Sequence, residues 1–460
     1  MIPIHTEETI VAICTPPGEG GIGIIRLSGP EAIPIAKQLF TSSSAKTVQP
    51  GGQRVYHGHI HDRDDVLIDE VLLHVMPGPR TYTREDVVEI NAHGGTGPLN
   101  AILEECLHHG ACLAGPGEFT QRAFLNGRID LVQAEAVIDQ IRARTRGGLQ
   151  AANAAATGTL SKALHAMQET LRFALSRLEA AVDFPEDDLP ELVDPALIAQ
   201  LEQAHTDMLD LLDTADAGRL YREGAAIAIA GRPNVGKSSL FNALLRDARA
   251  IVSAHPGTTR DRLEEYITLS GVPVKLIDTA GVRHTEDEVE RIGVAMARDT
   301  LKSVNMALLV LDSAEGYGVE DEALAAELAT LDIPVLLILN KSDLAPAVQP
   351  PTWAHAHEGA YPISALTGDG LKTLELRLGE LLLGGANLAA GQAMLNRMHQ
   401  KDSLRRAADC IERLLTQLDL SPEFLALEVQ EALQAIGEIT GETTPDDILA
   451  TIFNSFCIGK

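Results

Sequence analysis

The 460-residue chain combines an ordinary globular composition with a strong negative charge. Hydrophobic residues make up 45% and charged residues 22%, which excludes a disordered chain, and the length predicts two to four domains. Lys and Arg number 37 against 65 Asp and Glu, so a net charge of −28 disfavours tight non-specific binding to nucleic acid. The sequence shows neither a run of about 18 apolar residues nor a basic leader, so we expect a cytoplasmic protein without a membrane partner.

Predicted elements divide the chain into four segments. Short apolar runs at 10–13, 23–27, 71–75 and 87–90 predict strands in a mixed α/β segment over 1–121. Apolar residues spaced three and four apart predict long helices at 160–182 and 197–212, in a helical segment over 122–218. Strand runs at 226–230, 274–277, 307–311 and 335–339 alternate with helical patterns over 219–384, which is the order of a parallel sheet covered by helices.

Helical patterns return over 385–460. One apolar face is formed by Leu404, Ala408, Ile411, Leu415 and Leu418. Ser421-Pro422 and Thr444-Pro445 each place a capping side chain before a proline at the first helical position, so they predict two more helix starts. The sequence therefore predicts a multidomain chain with α/β and all-α parts, in which an α/β module is inserted between two helical segments.

A cluster of arginines is the densest basic stretch of this acidic chain. Its members are Arg122, Arg128, Arg142, Arg144 and Arg146. Such a strip attracts phosphate within a Debye length of about 8 Å, and the alternative interpretation is a solvated helix face.

A phosphate-binding loop lies at residues 231–238, between the strand run 226–230 and a helical pattern. Its sequence, GRPNVGKS, has the spacing G-x-x-x-x-G-K-[ST] in the required strand-to-helix setting. The glycines allow backbone N–H groups to face phosphate oxygens, Lys237 reaches the β and γ phosphates, and the Ser238 hydroxyl ligates Mg²⁺. This motif predicts a nucleoside triphosphate as substrate.

Three further motifs specify the nucleotide. The sequence DTAG at 278–281 follows the next strand run, where Asp278 supports Mg²⁺ through water and the Gly281 N–H contacts the γ-phosphate. The sequence NKSD at 340–343 ends another strand run, and a carboxylate there accepts two hydrogen bonds that guanine offers and adenine does not. The sequence SAL at 364–366 offers a backbone N–H to the guanine oxygen. The alternative for Asn340 and Asp343 is a capped turn between a helix and a strand.

These four motifs in this order resemble the branch of P-loop GTPases that is related to translation factors. Other stretches extend the resemblance, namely TPPG at 15–18, GGIGIIR at 20–26, EFTQRAFLN at 118–126, GTTRD at 257–261 and FCIGK at 456–460. Together they resemble the MnmE (TrmE) family of bacterial tRNA-modification GTPases over essentially the whole chain. The resemblance implies an α+β folate-binding N-terminal domain that dimerises, a discontinuous helical domain, and an inserted Ras-like P-loop GTPase (G) domain.

The resemblance also implies a reaction and its partners. Family members form homodimers that act with an FAD-containing flavoprotein of the MnmG type, in a heterotetramer or larger assembly. They add an aminomethyl or carboxymethylaminomethyl group to C5 of the wobble uridine of certain tRNAs, and GTP hydrolysis rearranges the G domains. The implied cofactors are GTP, Mg²⁺, K⁺ and 5-formyltetrahydrofolate or another one-carbon tetrahydrofolate. The chain has no dinucleotide fingerprint, so the electrons would come from the partner's flavin.

Motif matching to this family assigns the GTP contacts residue by residue. In the phosphate loop and the following helix they are Asn234, Val235, Gly236, Lys237, Ser238 and Ser239. In the next loop they are Ser253, Ala254, His255, Pro256, Gly257, Thr258 and Thr259. The later motifs add Asp278, Thr279, Ala280, Gly281, Asn340, Lys341, Asp343, Ser364, Ala365 and Leu366.

The resemblance also supplies the catalytic residue and the metal ligands. Val282 stands where many small GTPases have a water-orienting glutamine, and the family instead matches a glutamate at Glu290, whose local alternative is a solvated helix start. Mg²⁺ ligands match Ser238 and Thr259. K⁺ ligands match Asn234, Ser253, the His255 carbonyl and Thr258. Arg260 and Arg283 stay open as alternative sources of positive charge.

Folate contacts match four residues in the terminal segments, Arg26, Glu85, Arg128 and Lys460. Position 128 is usually lysine in the family, so arginine keeps the charge and changes the geometry. Cys457 is the thiol of the family's C-terminal tail, and the sequence leaves open whether it reacts or packs.

Two rival functions are weaker. A ribosome-assembly GTPase predicts a basic RNA-binding domain after the G domain, whereas residues 385–460 are neutral to acidic. A stand-alone folate enzyme with a vestigial GTPase predicts a decayed phosphate loop, and this loop is intact.

Overall fold

A computed structural model describes residues 8–44, 48, 52–183, 194–247, 266–278, 304–331, 333–344, 359–384 and 391–460. By their contacts, the residues divide into two compact units, Met1–Ile138 with Gln430–Lys460, and Asp139–Val429. The domain boundaries predicted at 121, 218 and 384 do not coincide with this division and stay predictions.

Helices account for most of the described chain outside two sheets. None of the described helices is long and apolar enough to cross a membrane. In chain order the helices are α1 (Ala32–Leu39), α2 (Thr96–His108), α3 (Glu118–Leu125), α4 (Leu131–Arg142), α5 (Arg146–Ala156), α6 (Thr159–Asp183), α7 (Pro195–Asp213), α8 (Ala215–Glu223), α9 (Lys237–Asp247), α10 (Val319–Ala329), α11 (Leu371–Leu382), α12 (Met398–Thr416), α13 (Pro422–Thr440) and α14 (Asp446–Asn454).

The first unit contains a seven-stranded sheet with the order 3-4-5-6-2-1-7. Every pairing is antiparallel except that of β1 with β7. Side chains alternate between its faces, and buried residues of its strands pack with α1 and α2 in one core. The strands are β1 (Ile10–Ile13), β2 (Gly20–Ser28), β3 (Phe40–Ser42), β4 (Arg54–His61), β5 (Leu67–Met76), β6 (Val87–Gly94) and β7 (Cys112–Leu113).

The second unit contains a six-stranded sheet with the order 13-12-11-8-10-9. Only the β9–β10 pairing is antiparallel. β11 and β12 are buried along their whole length and two hydrophobic clusters share the strands' side chains, as expected of a sheet covered on both faces. The strands are β8 (Ala225–Ala230), β9 (Tyr266–Leu269), β10 (Val272–Asp278), β11 (Met306–Asp312), β12 (Val335–Asn340) and β13 (Ala360–Pro362).

The predicted combination of α/β and all-α parts is confirmed. α6 buries Leu160, Leu164, Met167 and Leu171, because a spacing of three and four residues places them on one side of the helix. Helices begin near both predicted starts, at Pro422 and at Asp446, but the predicted capping role of Thr444 is wrong. α14 begins at Asp446 with Pro445 as its N-cap, and the Thr444 hydroxyl donates instead to the Glu438 carbonyl oxygen at 2.7 Å. Leu418, predicted on the face of α12, lies beyond the end of that helix.

Candidate functional site

The candidate nucleotide site lies at the carboxyl edge of the second sheet. Strands β8, β10, β11 and β12 run parallel, so their carboxyl ends meet at one edge. The phosphate loop follows β8, Asp278 ends β10, and Asn340 ends β12. Ligands of open α/β sheets bind at this edge, because the loops that follow neighbouring strands come together there.

The phosphate loop connects β8 to α9 through backbone that favours glycine. Gly231 has φ 148° and Gly236 has φ 97°. A side chain at Gly236 would run into the Asn340 amide, so this position needs glycine for space as well as for conformation. Asn234, which is exposed, also has a positive φ of 64°. The loop therefore turns sharply into the N-terminus of α9, the arrangement that presents N–H groups to a phosphate.

Lys237, the first residue of α9, folds back over the loop. Its Nζ donates to the Gly231 carbonyl oxygen at 3.0 Å and to the Arg232 carbonyl oxygen at 2.6 Å. Most of the side chain is buried, which keeps the ammonium at the loop rather than in solvent. A positive charge is thus held where the phosphate-loop motif requires one.

Ser238 and Asp278 come together across the site. The Ser238 hydroxyl donates to Asp278 Oδ2 at 3.4 Å. A hydroxyl and a carboxylate oxygen are ligands or water-holding groups that suit Mg²⁺. The residues present therefore fit this ion, and at this edge of the sheet it would neutralise phosphate oxygens when bound.

The Asn340 side chain is 2% exposed and ties two loops together. Its Nδ2 donates to the Val235 carbonyl oxygen at 2.9 Å, and its Oδ1 accepts from the Ala365 N–H at 3.0 Å. One donor and one acceptor are thus both used, which fixes the orientation of the amide. Asn340 does more than cap a turn, because its two partners lie in the phosphate loop and in the loop after β13.

The residues that follow Asn340 in the NKSD motif, and Leu366 of the SAL motif, are more exposed to solvent than Asn340. Asp343 is exposed, and Leu366 is 86% exposed. Lys341 has a positive φ of 63°, and its Nζ pairs with the buried Asp312. Burial favours a raised pKa for Asp312, but the hydrogen bonds from Lys341 and from the Ala314 and Glu315 amides outweigh burial and lower the pKa below its usual value. The Asp312 carboxylate therefore stays ionised beside Lys341, and this contact anchors the NKSD loop to β11.

Some site residues could not be identified from motifs. Besides Asp312, the buried Asp321 pairs with Arg232 of the phosphate loop at 2.8 Å and accepts from the Gly318 N–H at 2.9 Å. Asp312 stands at the carboxyl end of a strand run, a position that could have indicated it. Asp321 carries no such signal, because only folding brings α10 next to the phosphate loop.

The four predicted folate residues lie in the first unit, and two of them share an aromatic ring. The guanidinium of Arg128 lies 4.4 Å from the centre of the Tyr82 ring, and that of Arg26 lies 5.7 Å from it. Arg26 also pairs with Glu89 at 2.8 Å. Two cations thus lie beside one aromatic ring, and one of them is also paired with a carboxylate.

The other two predicted residues border the same region. Glu85 accepts from the Ser28 hydroxyl at 2.7 Å and from Arg122 at 3.3 Å. Gly459, the residue before Lys460, packs on Cys14. Burial raises the pKa of the Cys14 thiol, and the nearby charges of Arg26 and Lys460 oppose this rise. The backbone of Cys457 receives the Gly117 N–H at 3.3 Å, so the C-terminal tail lies against this domain.

The predicted basic strip is wrong for one of its members. Arg122 is 1% exposed, and its guanidinium donates to Glu85, to Glu118 at 3.0 Å and to the Glu8 carbonyl oxygen at 2.8 Å. A buried arginine surrounded by carboxylates is a structural group, and it is closed to phosphate.

Part of the predicted site lies outside the described residues. These predictions concern Ser253, Ala254, His255, Pro256, Gly257, Thr258, Thr259, Thr279, Ala280, Gly281 and Glu290, together with the alternatives Arg260 and Arg283. They stay predictions.

Comparisons with known proteins identify the family of this chain. A family model for the MnmE helical domain matches residues 131–457, and one for the N-terminus of the GTP-binding protein TrmE matches residues 9–128. The tRNA modification GTPase MnmE of Chloroflexus aurantiacus is 47% identical and covers 99% of this chain and 100% of its own. That of Heliobacterium modesticaldum is 44% identical and covers 98% and 99%.

Among solved structures, the G domain of the T. maritima FeoB iron transporter is 29% identical over 35% of this chain and 99% of its own, with a TM-score of 0.27 that supports no conclusion. The two family models and the full-length relatives together cover nearly every residue of this chain. The phosphate loop of this chain connects β8 to α9, as its motif requires. This chain therefore belongs to the MnmE family of tRNA modification GTPases.

Proposed function

We propose that this GTPase uses GTP hydrolysis to drive modification of the wobble uridine of certain tRNAs. The added group is an aminomethyl or carboxymethylaminomethyl group on C5, and hydrolysis rearranges the G domains. The observation that carries the proposal is the connected nucleotide site, in which the buried Asn340 amide joins the phosphate loop to the loop after β13. We would not expect a GTPase that has lost its activity to retain both this linkage and the hydrogen bonds of Lys237 to the phosphate loop.

We assign guanine selection to Asp343, the exposed last residue of the NKSD motif. The Asp343 carboxylate is exposed, and a carboxylate accepts from both guanine N1–H and the 2-amino group. Adenine offers no such pair of donors, so the carboxylate would make no matching hydrogen bonds with an adenine base. GTP is therefore the proposed substrate.

Hydrolysis is assigned to Glu290, with positive charge supplied by a cation rather than by an arginine. Asn234 supports this assignment, since it is exposed on the phosphate loop and has a left-handed backbone conformation. We place K⁺ on Asn234, Ser253, the His255 carbonyl and Thr258, and Mg²⁺ on Ser238 and Thr259. When bound, K⁺ would neutralise charge that develops on the phosphates.

The one-carbon unit is assigned to a folate held in the first unit. Arg26, Arg128 and Lys460 provide positive charge for a glutamyl tail, Glu85 accepts from a pterin ring, and the Tyr82 ring offers a stacking surface. The fit supports 5-formyltetrahydrofolate or another one-carbon tetrahydrofolate as the ligand.

The proposed assembly is a homodimer that works in the cytoplasm with an MnmG-type FAD flavoprotein and tRNA. Electrons for the reaction come from the flavin, because the folate carries only the one-carbon unit. The net charge of −28 indicates that tRNA is positioned by a local surface or by the partner, since the average field of this chain repels phosphate.

The first experiment tests the modification itself. Wobble nucleosides from cells that lack this protein are compared by mass spectrometry with those from cells that carry the wild type or Lys237→Ala. We expect the C5-modified uridine to disappear in the deletion and to return only with the wild type. Unchanged wobble nucleosides in the deletion would contradict the proposed function.

The second experiment tests the cation. At equal ionic strength, replacing Na⁺ with K⁺ should raise GTP turnover steeply, because an arginine in the same place contributes about 10³-fold or more. Asn234→Ala should be slow in both salts and still bind nucleotide through Lys237. Equal wild-type rates in KCl and NaCl would remove K⁺ from the mechanism and favour Arg260 or Arg283.

A further inference from the structure

Within the second unit, the turn of the β9–β10 hairpin contacts the start of α5. The Thr145 hydroxyl donates to the Gly271 carbonyl oxygen at 2.6 Å. The same oxygen of Thr145 accepts the Gly148 N–H at 3.0 Å and so caps α5. One buried hydroxyl thus holds both the hairpin turn and the first turn of the helix.

Two other contacts reinforce this one. The guanidinium of Arg144 lies 4.2 Å from the centre of the Tyr266 ring, the first residue of β9. The Tyr221 hydroxyl, near the end of α8, donates to the Ser270 carbonyl oxygen at 3.3 Å. The hairpin is therefore held at its turn and at its first strand.

The backbones also approach closely. A Cβ on Gly147 would lie 2.6 Å from the Gly271 carbonyl oxygen and 2.9 Å from the Gly271 Cα. Carbon atoms normally stay about 3.5–4.0 Å apart, so only glycine permits this approach. A small displacement of the hairpin would therefore press directly on α5.

The β9–β10 hairpin is directly joined in sequence to residues of the nucleotide site. β9 follows the segment that carries Thr258 and Thr259, and β10 ends at Asp278, which accepts the Ser238 hydroxyl and precedes Gly281. β10 also pairs along five residues with β8, the strand that leads into the phosphate loop. This paired strand offers a path along which a shift of Asp278 on nucleotide exchange would reach Gly271.

We propose that Arg144, Thr145 and Gly147, with Ser270 and Gly271, form a coupling contact that transmits the nucleotide state of the G domain to α5 and the helices packed on it. Arg144 and Thr145 are positioning residues, since they act on the nucleotide site only through the hairpin. The inference rests on the proposed function for its biological output, the timing of tRNA modification, and not for the contact itself.

The test measures hydrogen exchange of α5 amides in the full-length protein with GDP or with a non-hydrolysable GTP analogue. Gly147→Ala pushes the turn away, although alanine favours the helix. Its matched control is Gly97→Ala, also at the second position of a helix, where a Cβ would meet no described atom within 4 Å apart from its own neighbours in the chain and helix. Thr145→Asp keeps a capping oxygen but loses the donor, and Thr145→Ser keeps both.

We expect α5 exchange in the wild type, Gly97→Ala and Thr145→Ser to differ by at least about threefold between the two nucleotide states. In Gly147→Ala and Thr145→Asp the difference should vanish, while nucleotide affinity stays within about threefold of the wild type. Identical wild-type exchange in both states, or a retained difference in both disrupted variants, would overturn the proposal.

A tRNA readout separates this proposal from the proposed function. If the coupling contact serves tRNA modification, Gly147→Ala should lose the modified wobble nucleoside in cells while Gly97→Ala keeps it. The exchange measurement contains no tRNA, so unchanged nucleosides in the deletion strain would contradict only the proposed function.

Discussion

Replacing Asn340 by alanine removes the side chain that joins the phosphate loop to the loop after β13. The substitution leaves the Val235 carbonyl and the Ala365 N–H without their side-chain partner. Each buried polar group left unsatisfied costs about 1–3 kcal/mol, and water entering the vacated volume recovers part of this. We therefore expect Asn340→Ala to destabilise the second sheet by about 2–4 kcal/mol.

The assay is native-state hydrogen exchange of β8 and β12 amides, together with the affinity for fluorescent GDP. A loss of 2–4 kcal/mol corresponds to exchange that is roughly 30- to 1,000-fold faster where strand opening is the route. Affinity should also fall, because the two loops lose their fixed spacing. Asn340→Asp keeps the acceptor for Ala365 and loses the donor, so we expect a similar loss of affinity.

Asn305→Ala is the matched control. Asn305 Oδ1 accepts from the Ala226 N–H at 2.8 Å in the same sheet, away from the nucleotide edge. Its loss removes one bond, so it should speed exchange less and leave GDP affinity unchanged. Exchange and affinity of Asn340→Ala that match the wild type would refute the role assigned to this amide.

Three further predictions concern base choice, turnover and pH. Asp343→Asn should shift the binding preference from GTP towards xanthosine triphosphate, because asparagine donates a hydrogen bond where aspartate accepts one. Competition binding tests this, and a variant that still prefers GTP would show that Asp343 does not contact the base. Glu290→Ala should lower GTP turnover roughly 10²-fold or more with affinity within about threefold, and unchanged steady-state turnover would return Glu290 to a solvated role. The lowered pKa of Asp312 contributes stability above its unfolded value of about 3.9, and this contribution is lost as pH falls through the folded-state pKa. Urea unfolding from pH 6 downwards to about pH 3 should therefore show a smaller loss in Lys341→Met than in the wild type, and equal losses would contradict the pairing.

The sequence alone determined the features that depend on local spacing. The phosphate loop, the strand runs before it and after it, and the apolar stripe of α6 are all set by residues close together in the chain. Periodicity of 2 or 3.6 fixes which face of an element is apolar, and the motif GRPNVGKS fixes a backbone path that few other sequences permit. These features could be predicted before any contact was known.

Only the tertiary structure decided the roles of residues whose partners are distant in sequence. Arg122 looks like a surface cation, yet folding buries it among Glu85, Glu118 and a backbone carbonyl. Thr145 contacts Gly271, 126 residues away, and Asn340 contacts Val235, 105 residues away. Spacing in the chain carries no information about such pairs, because a hydrogen bond depends on the positions of two groups in space, and packing of the sheet and helices sets those positions.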